Sequence, residues 1–66
     1  MNTIQKSTFD EAISLTVRAY ETFSDEQIAD SLSKFDEKVR TMLFLESVNS
    51  KKLDVAEKIR RNIFCN

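Results

Sequence analysis

The chain has 66 residues and a formal net charge of −1 at pH 7, so it forms at most one domain, with a small hydrophobic core. It contains no histidine, which is the usual general base at neutral pH and the commonest ligand of transition metals. It also contains no glycine, which excludes the phosphate-binding loops of nucleotide-binding enzymes. We therefore expect a protein that is not an enzyme and has no catalytic residues, metal ligands or cofactors.

Composition favours an all-α fold. With neither glycine nor proline, hairpin turns that need positive φ are unavailable, and we expect every loop to keep negative φ. Apolar residues make up 41% of the chain and charged residues 32%, a balance typical of globular rather than disordered proteins. The longest apolar run, residues 42–45, is too short to span a bilayer, and the N-terminus lacks the apolar core of a secretory signal. The expected location is the cytoplasm, without membrane contact.

Residues 1–7 are predicted to be a flexible N-terminal tail, and residues 8–66 a single helical domain. Thr8 and Glu11 have the spacing of a capping box, and apolar residues then recur at three- and four-residue steps. This pattern predicts a first helix over about residues 8–23. Its apolar arc, which Leu15 flanks, is wider than one partner helix would cover.

The central segment begins with a second capping box, formed by Ser24 and Gln27. Apolar residues then follow at helical spacing with no helix breaker between them: Ile28, Leu32, Phe35, Val39 and Met42. This spacing predicts one unbroken helix over about residues 25–48, roughly 36 Å long. Such a helix would overhang its neighbours and leave Phe44 and Val48 on the face opposite the stripe, where a homodimer would cover them.

The last predicted helix covers about residues 50–64, with Asn49 and Ser50 as candidate caps. Its apolar face consists of Leu53, Ala56, Ile59 and Ile63, and Val55 lies off that face. The three helices predict a small three-helix bundle, or a helical hairpin with a long central helix, completed by dimerisation. The candidate interface residues are Leu15, Phe44, Val48 and Val55.

Residues 24–43 also match a helix-turn-helix, the DNA-reading motif. Ala29, Ser33 and Val39 occupy the positions for close helix approach, for the turn and for locking the second helix. The candidate nucleic-acid contacts under this alternative are Lys38, Arg40, Thr41, Lys58, Arg60 and Arg61. Three observations weaken the alternative. The turn residue is not glycine, and the residue after it, usually apolar, is Lys34. The second helix also begins with two acidic residues that would repel phosphates.

Charge is unevenly distributed along the chain. Residues 24–49 hold three basic and six acidic groups, a net −3, whereas residues 50–66 hold five and two, a net +3. The basic end is explained either by nucleic-acid binding or by pairing with the acidic centre. A third alternative is a peripheral membrane role for the last helix, in which Ile59, Ile63 and Phe64 lie beside the basic residues.

The leading prediction is a small non-enzymatic protein-interaction module: a regulator, inhibitor or adaptor that binds through an apolar helical surface. Its predicted partners are a second copy of itself, in a homodimer, and another protein. DNA binding through residues 24–43 is the second hypothesis.

Overall fold

The computed structural model describes residues 8–64, and within that range the chain forms four α-helices and no strands. The helices are α1 (Thr8–Tyr20), α2 (Asp25–Leu32), α3 (Glu37–Asn49) and α4 (Leu53–Phe64). The predicted all-α fold is confirmed, whereas the predicted count of three helices is wrong. The predicted N-terminal tail, residues 1–7, lies outside the described residues. No helix in the described range is long and apolar enough to cross a membrane.

The central segment is two helices, so the prediction of one unbroken helix over residues 25–48 is wrong. α2 ends at Leu32, and α3 begins at Glu37 after a four-residue turn. Asp36 is the N-cap of α3: its backbone is extended, and its carboxylate accepts a hydrogen bond from the Val39 amide at 3.0 Å. This bond satisfies an amide that the start of a helix otherwise leaves without a partner.

Side chains also stabilise the C-terminal end of α2. The Ser33 hydroxyl donates to the Asp30 carbonyl at 2.6 Å. The Nε of Arg40 donates to the carbonyls of Leu32 and Phe35, at 3.0 and 2.9 Å. These donors satisfy carbonyls at the point where the helix stops. Ser33 itself keeps a right-handed helical backbone, with φ −63°, so this turn does not require glycine.

The start of α2 has the predicted capping box. The Ser24 hydroxyl accepts from the Gln27 amide at 3.2 Å, and the Gln27 side chain accepts from the Ser24 amide at 2.8 Å. α1 ends at Tyr20, earlier than predicted, and the next three amides bond to carbonyls three residues back in a tighter turn. The Tyr20 hydroxyl lies 2.6 Å from the Ser31 hydroxyl and ties α1 to α2.

α3 ends in a left-handed turn at Lys51. The Lys51 amide bonds to the Val48 carbonyl and the Lys52 amide to the Ser47 carbonyl, at 3.0 and 2.8 Å, the pattern of a Schellman motif. Lys51 has φ 60°, so the expectation of negative φ in every loop is wrong at this residue. Asn49 is the last residue of α3 and Ser50 is its C-cap, so their predicted role as N-caps of the last helix is wrong.

α3 is the central helix of the domain. It packs against both α1 and α4, and α2 packs against α4. Leu43 and Ser47 on α3 are fully buried, and the Ser47 hydroxyl donates to the Phe44 carbonyl at 2.6 Å, so its burial leaves no unmet donor. The main core cluster is Ile13, Val17, Tyr20, Ile28, Leu32, Leu43, Val55 and Ile59. All four helices therefore contribute to one core.

The predicted apolar stripes match the core in part. Phe35, Val39 and Met42 are half-buried and pack against the core, although Phe35 lies in the turn and the other two lie on α3. In α4 the buried face is rotated: Leu53 is 66% exposed, whereas Val55 is 3% exposed. Val55 was predicted to be an exposed interface residue, and its place in the core corrects that assignment. Of the apolar residues in the membrane alternative, Ile59 is fully buried and Ile63 is half-buried, and the side chain of Phe64 lies outside the described residues.

Replacing Asp36 with alanine tests the break between α2 and α3. Because Asp36 caps α3, Asp36→Ala is expected to lower the free energy of unfolding by about 1 kcal/mol. In one continuous helix the same change would stabilise the protein, since alanine is the better helix former. Urea denaturation measures the difference, and Asp30→Ala within α2 is the control. A stabilised Asp36→Ala variant would contradict the four-helix structure.

Replacing Lys51 with glycine tests the left-handed turn. A side chain at positive φ costs about 1 to 2 kcal/mol, and glycine avoids that cost. Lys51→Gly is therefore expected to raise the thermal midpoint, whereas Lys51→Ala, which keeps the Cβ atom, is not. Calorimetry on the two variants gives the comparison. A glycine variant less stable than the alanine variant would show that Lys51 has negative φ.

Candidate protein-interaction surface

One side of α3 faces away from the other helices that the structure describes. The side that packs on α1 and α4 carries Leu43 and Ser47, and the opposite side is exposed. Leu45 is 53% exposed and Val48 is 43% exposed, and their spacing of three residues makes them neighbours on the helix. Met42 and Phe44 are half-buried at the edges of this side. We call these four residues the α3 strip: Met42, Phe44, Leu45 and Val48.

The α3 strip contains two of the four predicted interface residues, Phe44 and Val48. Leu15 is 57% exposed, but it lies on α1 two residues after buried Ile13 and so on the opposite side of that helix. Leu45 was missed in the sequence because the predicted stripe passed from Met42 to Glu46. The signal that could have found it is its spacing of three residues from both Met42 and Val48.

A shallow groove of about 170 Å³ runs beside the strip, between α1 and α3. Its lining residues are Asp10, Ile13, Met42, Leu45, Glu46 and Asn49. The hydroxyls of Ser14 and Ser50 both donate to the same carboxylate oxygen of Glu46, each at 2.9 Å. Glu46 is thus held in one position as an acceptor. We call this feature the α1–α3 groove: it has an apolar floor and two carboxylates in its walls.

The first three predicted nucleic-acid contacts lie near the start of α3. Arg40 is half-buried, and its Nε is directed at the two carbonyls of the turn. The Thr41 hydroxyl donates to the Glu37 carbonyl at 3.0 Å, within its own helix. Lys38 is exposed. The structure therefore gives Arg40 a role in the fold.

The other three predicted nucleic-acid contacts, all on α4, bond to groups of this chain. Lys58 donates to the Phe23 carbonyl at 3.4 Å. Arg61 pairs with Asp25 at 3.3 Å, and Arg60 pairs with Glu57 at 2.7 Å. The Arg60 hydrogen bond holds the pKa of the Glu57 carboxyl below its usual value. These partly exposed pairs contribute little to stability but reduce the positive charge that α4 presents.

The geometry between α2 and α3 also departs from a helix-turn-helix. In that motif the two helices pack on each other through a turn that often contains glycine at positive φ. Here α2 packs chiefly on α4, and Ser33 has negative φ. Residues 24–43 do divide into two helices, but these helices do not pack chiefly on each other and the turn residue Ser33 does not have positive φ.

Among residues 8–64, a second group of charged side chains lines an open cavity. An open cavity of about 370 Å³ between the end of α1 and the start of α4 is lined by three lysines and two acidic residues, and its Lys52 pairs with Glu21 at 3.1 Å. Among the described residues, no three potential ligands of a metal ion come together. Burial raises the pKa of the Tyr20 phenol, and its hydrogen bond with Ser31 opposes that shift in part.

Comparison of the chain with protein-family models, with curated protein sequences and with solved structures finds no match. Function is therefore inferred from the geometry of residues 8–64.

Replacing Arg40 with alanine separates a structural role from DNA contact. Arg40→Ala removes the donor to two carbonyls and is expected to lower the free energy of unfolding by about 1 to 2 kcal/mol. Lys38→Ala, at an exposed position on the same helix, is expected to change it by less than about 0.5 kcal/mol. Chemical denaturation of both variants gives the values. Unchanged stability in Arg40→Ala would return this residue to the candidate DNA contacts.

Proposed function

We propose that the protein is a non-enzymatic protein-interaction module, a regulator, inhibitor or adaptor, that binds through the α3 strip. The observation that carries this proposal is the exposure of Leu45 and Val48 side by side on the central helix. Single apolar residues on a surface are ordinary, but contiguous apolar patches mark sites of protein association. Half-buried Met42 and Phe44 extend the patch on either side.

The position of the strip supports a role in binding rather than in stability. Leu45 and Val48 leave 53% and 43% of their surface exposed, and burying that remainder against a partner would contribute about 1 kcal/mol each. The strip also lies on the helix with the most extensive packing, because α3 contacts both α1 and α4. A rigid helix can bind with little loss of conformational entropy.

We propose a second copy of the chain as the first partner, in a two-fold symmetric homodimer. In an antiparallel pair of α3 helices centred on Leu45, Met42 faces Val48 of the second copy. Thr41 in the same register faces Asn49 of the second copy. Apolar groups then meet apolar groups, and a hydroxyl meets an amide, as a self-complementary two-fold interface requires.

DNA binding is the second candidate, and one observation favours it. Residues 24–43 divide into two helices joined by a four-residue turn, as in a DNA-reading motif. Three features rank it lower: the engagement of Arg40 in the turn, the acidic start of α3, and the apolar residues on its exposed side. A reading helix needs polar donors and acceptors where α3 presents Leu45 and Val48.

Replacing Val48 with glutamate tests the proposed self-association. A charge inside a desolvated interface is costly, so Val48→Glu, which would face Met42 of the second copy, is expected to convert the dimer to monomer. Leu15→Glu, which alters an exposed leucine on α1 outside the α3 strip, is the control and is expected to remain dimeric. Light scattering over a concentration range gives the mass, and circular dichroism shows that both variants are folded.

Two results would contradict the proposal. A wild-type protein that remains monomeric at high micromolar concentration would remove the homodimer. A salt-sensitive complex of the wild type with a defined DNA duplex, weakened by Lys38→Ala and not by Val48→Glu, would place DNA binding first.

A further inference from the structure

We propose that two copies of the chain exchange their first two helices when the turn between α2 and α3 opens into one continuous helix. We call residues 8–32, which form α1 and α2, the arm, residues 33–36 the hinge, and residues 37–64, which form α3 and α4, the body. The inference goes beyond the proposed function, because it concerns the contact between arm and body and not the α3 strip.

Most of the packing of the arm is against the body. α1 packs on α3 and α2 packs on α4, whereas the body holds itself together through the contact of α3 with α4. Three pairs of polar side chains also join arm to body: Ser14 with Glu46, Glu21 with Lys52, and Asp25 with Arg61. Because these contacts lie between the two parts, the arm of a second copy forms the same contacts with this body.

Part of the hinge already has a helical backbone. Ser33 has φ −63° and ψ −17°, and the amides of Lys34 and Phe35 bond to carbonyls three residues back, at 3.1 and 3.0 Å. Asp36 has φ −78° but an extended ψ of 174°. An α-helix has ψ of about −42°, so straightening requires a rotation at Asp36, while Ser33 and Lys34 stay close to their present turn.

The sequence of the hinge also suits a continuous helix. It contains neither glycine nor proline, and Leu32, Phe35 and Val39 keep three- and four-residue steps across it. Asp36 stands four residues before Arg40, with the acid first, which is the favourable order for an ion pair on a helix. The open hinge therefore offers Asp36 and Arg40 each other in place of the cap and the carbonyls that they bind in the turn.

An open hinge leaves a second copy as the matching partner. The continuous helix would cover residues 25–49, about 37 Å, and would carry the arm away from its own body. Ile28 and Leu32 then lose their place in the core unless α2 packs on the α4 of another copy. Exchange in both directions buries both arms and gives a two-fold symmetric dimer, in which the α3 strip stays uncovered.

Exchange is expected to depend on concentration and on temperature. The closed monomer and the exchanged dimer share the contacts of arm with body, so they differ in the hinge and in the freedom lost on association. The arm also has to leave its own body first, which exposes core residues and makes the step slow near room temperature. We therefore expect exchange when concentrated protein is warmed to its thermal midpoint and cooled.

Two substitutions at Glu37 test the open hinge, each made together with Val48→Glu so that the α3 strip does not contribute. Glu37 is the first residue of α3, where proline is favoured, but inside a continuous helix proline removes a hydrogen bond and clashes with the preceding turn. Glu37→Ala is compatible with both forms. After warming at high micromolar concentration, we expect light scattering to show at least about tenfold less dimer for Glu37→Pro than for Glu37→Ala. Circular dichroism before warming shows that both variants are folded.

Cross-linking shows whether the arm itself has moved to another copy. Glu21 in the arm and Lys52 in the body pair at 3.1 Å, so cysteines at these positions lie within reach of a short bismaleimide. One chain carries Glu21→Cys and a size tag, and the other carries Lys52→Cys. Both chains also carry Cys65→Ser and Val48→Glu. In a mixture of the two, we expect the product that joins the different chains to appear after warming.

Three results would overturn the inference: a warmed Glu37→Ala protein that stays monomeric, an equal amount of dimer with proline, or a warmed mixture without the product that joins different chains. The proposed function is tested on protein that has not been warmed. Loss of exchange alone, with a wild-type dimer that Val48→Glu dissociates, overturns only the exchange. A wild type that is monomeric before warming, but gives the exchange products afterwards, overturns only the dimer through the α3 strip.

Discussion

The turn between Leu32 and Glu37 is the constraint on which the rest of the structure depends. Without it α2 would continue the line of α3 and could not pack on α4, and the core would lose Ile28 and Leu32. The turn is fixed by two polar contacts: the Asp36 carboxylate on the Val39 amide, and the Arg40 guanidinium on the carbonyls that precede α3. Each is worth about 1 kcal/mol. In a domain this small, that is a substantial share of the stability.

The exposure of the α3 strip follows from that turn. Once α2 folds back onto α4, the described helices that chiefly cover α3 are α1 and α4. Leu43 and Ser47 take the buried positions, and Leu45 and Val48 are left on the side that the domain does not cover. The candidate interface is thus a consequence of packing two helices, α1 and α4, on one central helix. Because Leu45 is 53% exposed, its removal would cost the isolated domain little stability.

The sequence predicted the class of fold and the residues of the core better than the continuity of the helices. Phe35, Val39 and Met42 do pack on the core, because apolar spacing reports which side is buried. Apolar spacing does not reveal a turn when the apolar residues on both sides of that turn still face the core. The signal for the break between α2 and α3 was a polar residue, because Asp36 is a good N-cap and stands directly before α3. Neither the left-handed Lys51 nor the burial of Val55 has a local cause in the sequence, since both depend on how α4 packs against α3.

Arg40 shows why the residue types of a DNA-reading motif do not by themselves make a DNA reader. A base-contacting arginine needs its donors directed outward into a groove, where the fork pairs with a base edge. Here the Nε donor of Arg40 is directed inward at the carbonyls of Leu32 and Phe35. These two bonds stabilise the turn that gives residues 24–43 their likeness to a helix-turn-helix. The second half of α3 exposes two apolar side chains, Leu45 and Val48, to solvent. The groove beside it is lined in part by carboxylates. Our proposal of a protein partner rather than DNA rests on this exposed apolar surface, because apolar side chains gain from burial against other apolar groups and a phosphate backbone offers them none.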